Sequence, residues 1–237
     1  MFGKTLLVGV ALILLSSCSN SSQKAEVSKF LDPTNEDPYS ASVFQVHVKS
    51  EKCGIQDHGS GFAATSKYIV TNAHVVAGAS EIKVSSDFAP NEVDGKLVYF
   101  DPKRDISIIE VRTSRLKSLQ IGSDLTQGEV VNAYGYTGGR ILRVEESVSI
   151  RTVKWKAKDI FDEGEFDLEV NELKAHISTG DSGGALIDKN GLVRGIVFAK
   201  SSSVGERAYA MPASYVNEAL KAVGTQVVIS NTKCLPR

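Results

Sequence analysis

The chain has 237 residues, enough for one large hydrophobic core or two small ones. Its hydrophobic fraction of 42% and charged fraction of 23% are those of an ordinary globular protein. A formal net charge of −1 provides no basic face, which argues against a nucleic-acid partner and promises no steering of a charged substrate.

The first segment reads as an address. Lys4 precedes an apolar run, Leu6–Leu15, that is too short to cross about 30 Å of hydrocarbon comfortably and has the pattern of an export signal. L-S-S-C at Leu15–Cys18 resembles a bacterial lipobox, which implies cleavage after residue 17 and a lipid on Cys18. A plain secretory signal or an uncleaved anchor is the alternative. Ser19–Pro38 is polar and Pro-containing without apolar periodicity, and is predicted to be a flexible tether between a membrane surface and a folded part that starts at Tyr39. With Cys18 lipidated, Cys53 and Cys234 form an even pair in an oxidising compartment and are expected to bridge. Two unrelated thiols are the other possibility.

From Tyr39 onward the texture is that of strands. Phe44, Val46 and Val48 alternate with Gln45 and His47, as on a half-buried strand. Further strands are predicted at Ser60–Thr65, Tyr68–Thr71, Glu81–Ser85, Lys96–Phe100 and Ile106–Val111. Beyond these come Val130–Tyr136, Arg140–Val153, Phe166–Val170, Ala185–Ile187, Val193–Ala199 and Ala208–Met211. Short strands separated by Gly, Asn, Asp and Pro make an all-β barrel or sandwich. A helix is predicted at Ser214–Val223, where Val216, Ala219, Leu220 and Val223 share a face, Ser214 caps and Gly224 terminates.

Chemistry concentrates in S-T-G-D-S-G-G-A-L, Ser178–Leu186. A serine hydroxyl needs help to act as a nucleophile. Gly180 can aim its own N–H and that of Ser182 at one point, while Gly183 and Gly184 let the chain behind the serine pack tightly. Upstream, T-N-A-H-V-V carries His74 beside an apolar run. D-P-K-R-D-I-S-I-I carries Asp105 directly before a strand. A carboxylate there could hold imidazole Nδ1–H so that Nε2 accepts the serine proton. Asp101, followed by Pro102, fits a turn, and Asp105 is the predicted catalytic aspartate.

These three blocks resemble the signatures of chymotrypsin-fold serine proteases, in the order His74, Asp105, Ser182. The short gaps resemble the HtrA-type branch. C-G-I-Q-D-H-G-S-G-F, F-D-P-K-R-D-I-S, G-Y-T-G-G, G-I-V-F-A-K-S and Cys234 resemble MarP-type periplasmic proteases of acid resistance, over roughly Ser40 to Cys234. The resemblance implies two six-stranded antiparallel barrels, split near Leu116–Gln127, with a C-terminal helix and the active site between the barrels. It implies protein or peptide substrates, no cofactor, an envelope location with a possible stress role, and the same Cys53–Cys234 bridge. A specificity pocket involving His176, Phe198 and Lys200 also follows from it. His176 is expected at that pocket's base, where protonation would favour acidic side chains; a neutral, hydrogen-bonded histidine is the alternative.

Other features read more plainly. His47 is expected on a solvated face, His58 in a loop, and Gly135–Gly139 as a structural turn. Asp181 stands where HtrA-type proteases usually carry Asn, and needs either solvent or a partner. Asp159–Phe166 is an acidic insertion that could border the cleft or simply be a solvated loop. No metal-ligand pattern or internal repeat is apparent. The residues after Met211 are too few for an additional peptide-binding domain, so substrate is expected to be held by the barrels themselves. The rival function is a protease-like binding protein without turnover.

Overall fold

The computed structural model describes residues 37–113, 116–201, 206–225 and 233–236. Six strands, β1 (Val43–Ser50), β2 (Ile55–Ala63), β3 (Tyr68–Thr71), β4 (Glu81–Ser86), β5 (Ala89–Asp101) and β6 (Ile106–Val111), close into a barrel of order β1-β2-β3-β6-β5-β4. Alternation builds it: Phe44, Val46 and Val48 of β1 point inward onto Ile69, Ile82, Phe100 and Ile109. The turn α1 (Ala73–Val76) follows β3.

The second half contains β7 (Gln120–Ile121), β8 (Val130–Thr137), β9 (Ile141–Ala157), β10 (Phe166–Lys174), β11 (Ala185–Ile187), β12 (Leu192–Lys200) and β13 (Arg207–Pro212). Strands β11-β8-β9-β10-β13-β12 run in that order, and pairing of β11 with β12 closes them into a second ring of six. β7, which has no apolar pattern of its own, adds a short parallel pairing to the start of β12. The connection between the barrels spans both: Leu116 and Leu119 donate to Ser66 and Ala63 of the first half, and Gly122 donates to Val193 of the second. An apolar cluster shared by Val43, Phe62, Ile106 and Ile108 with Tyr136, Ile187, Ile196 and Met211 welds the two barrels together.

Several boundaries differ from expectation for visible reasons. β2 starts at Ile55, its first half being a polar edge, so His58 is a strand residue and not a loop residue. β9 runs on to Ala157 as a half-exposed ribbon in which Trp155 pairs with Leu168 while lysines point to solvent. The C-terminal helix α2 spans Ala213–Ala222. Ser214 lies inside it and does not cap; its N–H is instead taken by the Asp124 carboxylate at 2.7 Å. Gly224, at φ +81°, follows the helix end as expected. Asp37 is already docked, accepting hydrogen bonds from Ser40 and from the Tyr134 hydroxyl, so the fold takes up the chain two residues before Tyr39.

Cys53 and Cys234 form a disulfide with Cα atoms 5.6 Å apart. It ties the tail to the first barrel, where Leu235, like Ile160 and Phe161, packs against that barrel's apolar core.

Candidate active site

His74 sits in α1, whose preceding Asn72 turns its side chain away from capping and donates Nδ2–H to the backbone carbonyl of Asp105 at 2.8 Å. Asp105 itself has a left-handed backbone, φ 51°, which Asp tolerates better than most residues. That conformation turns the buried carboxylate toward the helical turn. Its Oδ1 accepts the His74 backbone N–H at 2.8 Å and its Oδ2 meets His74 Nδ1 at 2.6 Å. Both oxygens are thus used on one residue. An ionised carboxylate can only accept, so Nδ1 carries the proton and Nε2 presents a lone pair.

Burial works against charging His74, but the adjacent Asp105 charge and hydrogen bond, helped by the charge of Asp57, hold the imidazole above its ordinary pKa. Asp57 and His58 of β2 line the same cavity of about 200 Å³ as His74, Ile177–Gly180, Ser182, Ala199 and Lys200. Ser182 is half-buried in its wall. Among the described residues no hydrogen bond joins Ser182 to His74; in resting enzymes such contacts are commonly long and tighten with substrate.

The glycines around Ser182 are sterically required. Gly180 has φ +97°, and a Cβ there would meet the Tyr136 carbonyl at 2.5 Å; a Cβ on Gly183 would meet the Ser60 carbonyl at 2.0 Å. The Thr179 carbonyl accepts the Gly138 N–H at 2.7 Å. In a trans peptide the N–H points opposite the C=O, so Gly180 N–H is turned away from Gly138. Among the described residues neither Gly180 N–H nor Ser182 N–H is taken by a protein acceptor. Two such donors beside a serine hydroxyl are what the stabilisation of a developing oxyanion requires.

Asp181 is paired rather than solvated. Its carboxylate accepts from Thr137 Oγ1 at 2.7 Å and from Ser178 N–H at 2.8 Å, while burial pushes its pKa up against the pull of those donors and of Arg143. The G-Y-T-G-G segment is therefore more than a turn: Thr137 and Gly138 brace the serine loop.

The remaining predicted residues separate. Lys200 lines the cavity with Ser182. Phe198 faces a neighbouring, largely apolar cavity of about 490 Å³, with His74, Asp105, Ile160, Leu168, Met211 and Leu235. The insertion 159–166 borders that second cavity: Ile160 N–H bonds the Pro102 carbonyl, and Phe161 packs on Phe100. His176 is exposed between Glu145 and Glu206 and lines a different hollow, with Ile177 taking its place beside Ser182. Asp101 makes the expected turn, accepting from Lys103 and Arg104 N–H groups. His47 lies against Gln45 and Ser85 on the barrel's half-exposed side.

Sequence reasoning passed over Asp57, His58 and Thr137 as site residues. A signal existed for His58 in its place directly before the tight G-S-G; in the fold it packs on Gly139, where any Cβ would meet its ring at 2.2 Å.

Residues 59–196 match the model of the trypsin-like peptidase domain. The chain belongs to the trypsin-like peptidase family. Among curated trypsin-like relatives, the serine protease Rv3671c of Mycobacterium tuberculosis is 28% identical over 196 residues, 82% of this chain and 49% of that protein. A probable periplasmic DegP-like serine endoprotease of Pseudomonas fulva is 34% identical over 179 residues, 71% of this chain and 36% of that protein. The chain thus spans half or less of the length of these relatives. The crystal structure of active Rv3671c protease superimposes with a TM-score of 0.77 at 24% identity, covering 88% of this chain and 100% of that one. That likeness gives the fold: two barrels with a cleft between them.

Proposed function

We propose that this chain is an exported serine endopeptidase. Ser182 Oγ attacks the scissile carbonyl while His74 Nε2 takes its proton and later returns it to the leaving amine. Asp105 fixes the tautomer of His74 and supports the imidazolium that forms. The N–H groups of Gly180 and Ser182 receive the oxyanion. The single observation that carries this reading is the pairing of both Asp105 oxygens with His74, in a cavity that His74 shares with Ser182 and Gly180. Cavity residues such as Lys200, and the adjoining apolar cavity of Phe198 and the 159–166 insertion, supply room for flanking substrate side chains.

Proteins or peptides are the substrates under this reading. HtrA-type proteases solved with a tripeptide or a decapeptide share the fold. Cys18 and residues 19–36 of the tether fall outside the described residues. In this proposal residues 1–17 are removed, Cys18 carries the lipid, and 39–237 form the catalytic unit at the periplasmic face of the envelope, serving in stress response.

A serine-directed fluorophosphonate should label the wild type and not Ser182→Ala, and a peptide library should be cleaved only by the wild type. Absence of labelling and cleavage across pH and redox conditions would favour the binding-protein reading. Incorporation of a fatty-acid analogue, abolished by Cys18→Ser, tests the anchor.

A further inference from the structure

The G-S-G motif of β2 is not used by the proposed mechanism, yet its serine reaches into the site from the opposite barrel. Ser60 is wholly buried. Its Oγ donates to the Gly180 carbonyl at 2.7 Å and accepts the Tyr136 N–H at 2.7 Å. Its own N–H donates to the Ser182 carbonyl at 2.7 Å, and its carbonyl accepts Thr71 Oγ1 at 2.6 Å. One residue of the first barrel thus holds the carbonyls of both residues whose N–H groups would form the oxyanion hole.

The geometry points to Ser60 as a positioning residue that sets the oxyanion hole, an inference that rests on the serine-protease reading above. A backbone N–H lies in the peptide plane that precedes its residue, and holding the plane on the far side of the Cα restrains the φ and ψ rotations by which that first plane could turn. Around Gly180, the plane before it is pinned by Gly138 N–H on the Thr179 carbonyl, and the plane after it by Ser60 Oγ. Around Ser182, the plane before it is pinned by Gly184 N–H on the Asp181 carbonyl, and the plane after it by Ser60 N–H. Gly180 resists nothing by itself, since glycine turns freely. Without the Oγ contact the 180–181 peptide loses its outer restraint, and Tyr136 N–H loses its acceptor. A hydroxyl is needed because it must donate and accept at once. Since Ser60 belongs to the first barrel and Gly180 to the second, the hole is completed by docking of the barrels.

The test compares wild type with Ser60→Ala, which keeps both backbone contacts and removes Oγ. Kinetics use the best substrate from the library, and inhibition uses a peptide boronic acid of the same sequence, which mimics the tetrahedral adduct, with the cleaved product peptide as ground-state control. The expectation is a fall in kcat of about 10- to 100-fold with KM within about threefold, below the loss of a direct oxyanion donor. Boronate affinity should fall in parallel and product binding should not. Unchanged kcat in a folded variant, whatever its Tm, overturns the inference, as does an equal loss in boronate and product binding. If Ser60→Ala does not fold, Ser60→Cys, near in shape but a poor donor, is read by the same criteria. An inactive wild type would instead overturn the protease reading, which separates the two failures.

Discussion

Thr137 donates its hydroxyl to the buried carboxylate of Asp181 over 2.7 Å, joining the β8 turn to the loop that carries Ser182. Two neutral groups donate to the aspartate, Thr137 and the Ser178 N–H, and burial outweighs their pull and that of the Arg143 charge. Burial therefore raises its pKa. A carboxyl raised above its unfolded value contributes stability that is present at low pH and is lost as pH rises through the folded value. Asp181→Asn should thus flatten this part of the stability profile, making the variant less dependent on pH between acid and neutral. Thr137→Val removes one of the donors and should cost about 1–3 kcal/mol at neutral pH, and less in acid. Urea unfolding at a series of pH values checks both.

Activity should carry the signature of His74. Its imidazole is held above the ordinary range by Asp105 and Asp57 against the effect of burial, and in the proposed mechanism it must be neutral to accept the Ser182 proton. The acidic limb of kcat/KM is expected above the unperturbed histidine value of about 6.5. Asp57 is exposed and acts on His74 through its charge, so Asp57→Asn should shift that limb to lower pH. Asp105→Asn should instead lower kcat by about 10⁴-fold, through the wrong tautomer. A pH–rate profile of the three proteins distinguishes tuning from orientation.

What the sequence could and could not reveal follows the range of each interaction. The strands of the first barrel were legible because alternation is local, and the serine loop because its glycines have to admit a backbone carbonyl within 2.0–2.5 Å of a virtual Cβ. Ser214 was misread for the same reason: a local rule made it a cap, whereas Asp124, far away in sequence, took its N–H. Ser60 and Thr137 are ordinary residue types whose partners lie on the other barrel or across a loop, so no spacing announces them. His176 and Ile177 are neighbours, and which of them faces Ser182 depends on how the segment leaves β10, a property of tertiary packing.

Removing the disulfide should cost stability more than it disturbs the barrel itself. Cys53–Cys234 closes a span of 181 residues, for which chain entropy predicts on the order of 5 kcal/mol, with measured losses commonly about 2–5. Cys53→Ser with Cys234→Ser should lower the urea midpoint accordingly. It should also increase protease nicking near Leu235, whose packing against the first barrel's core the bridge maintains. A double variant as stable as wild type would show that the tail is held by those apolar contacts alone.

The second barrel has a charged keystone whose loss should be severe. Arg194 is 9% exposed and spends its guanidinium on Asp188 and Glu129, each at 3.0 Å, and on the carbonyls of Ser123 and Asp124. Burial alone would raise the Asp188 pKa. The N–H groups of Leu192 and Asn190 together with Arg194 lower it instead. A carboxylate lowered in this way contributes stability that is present above its unfolded pKa, about 4, and is lost as pH falls through the lower folded value. Arg194→Met should cost about 3–5 kcal/mol near neutrality by leaving Asp188 buried without its cation. The penalty should shrink below about pH 4, where Asp188 in the variant can protonate. Chemical denaturation at pH 7 and pH 3.5 measures it: a difference between the two pH values is expected, and an equal cost at both would place the loss in packing rather than in charge.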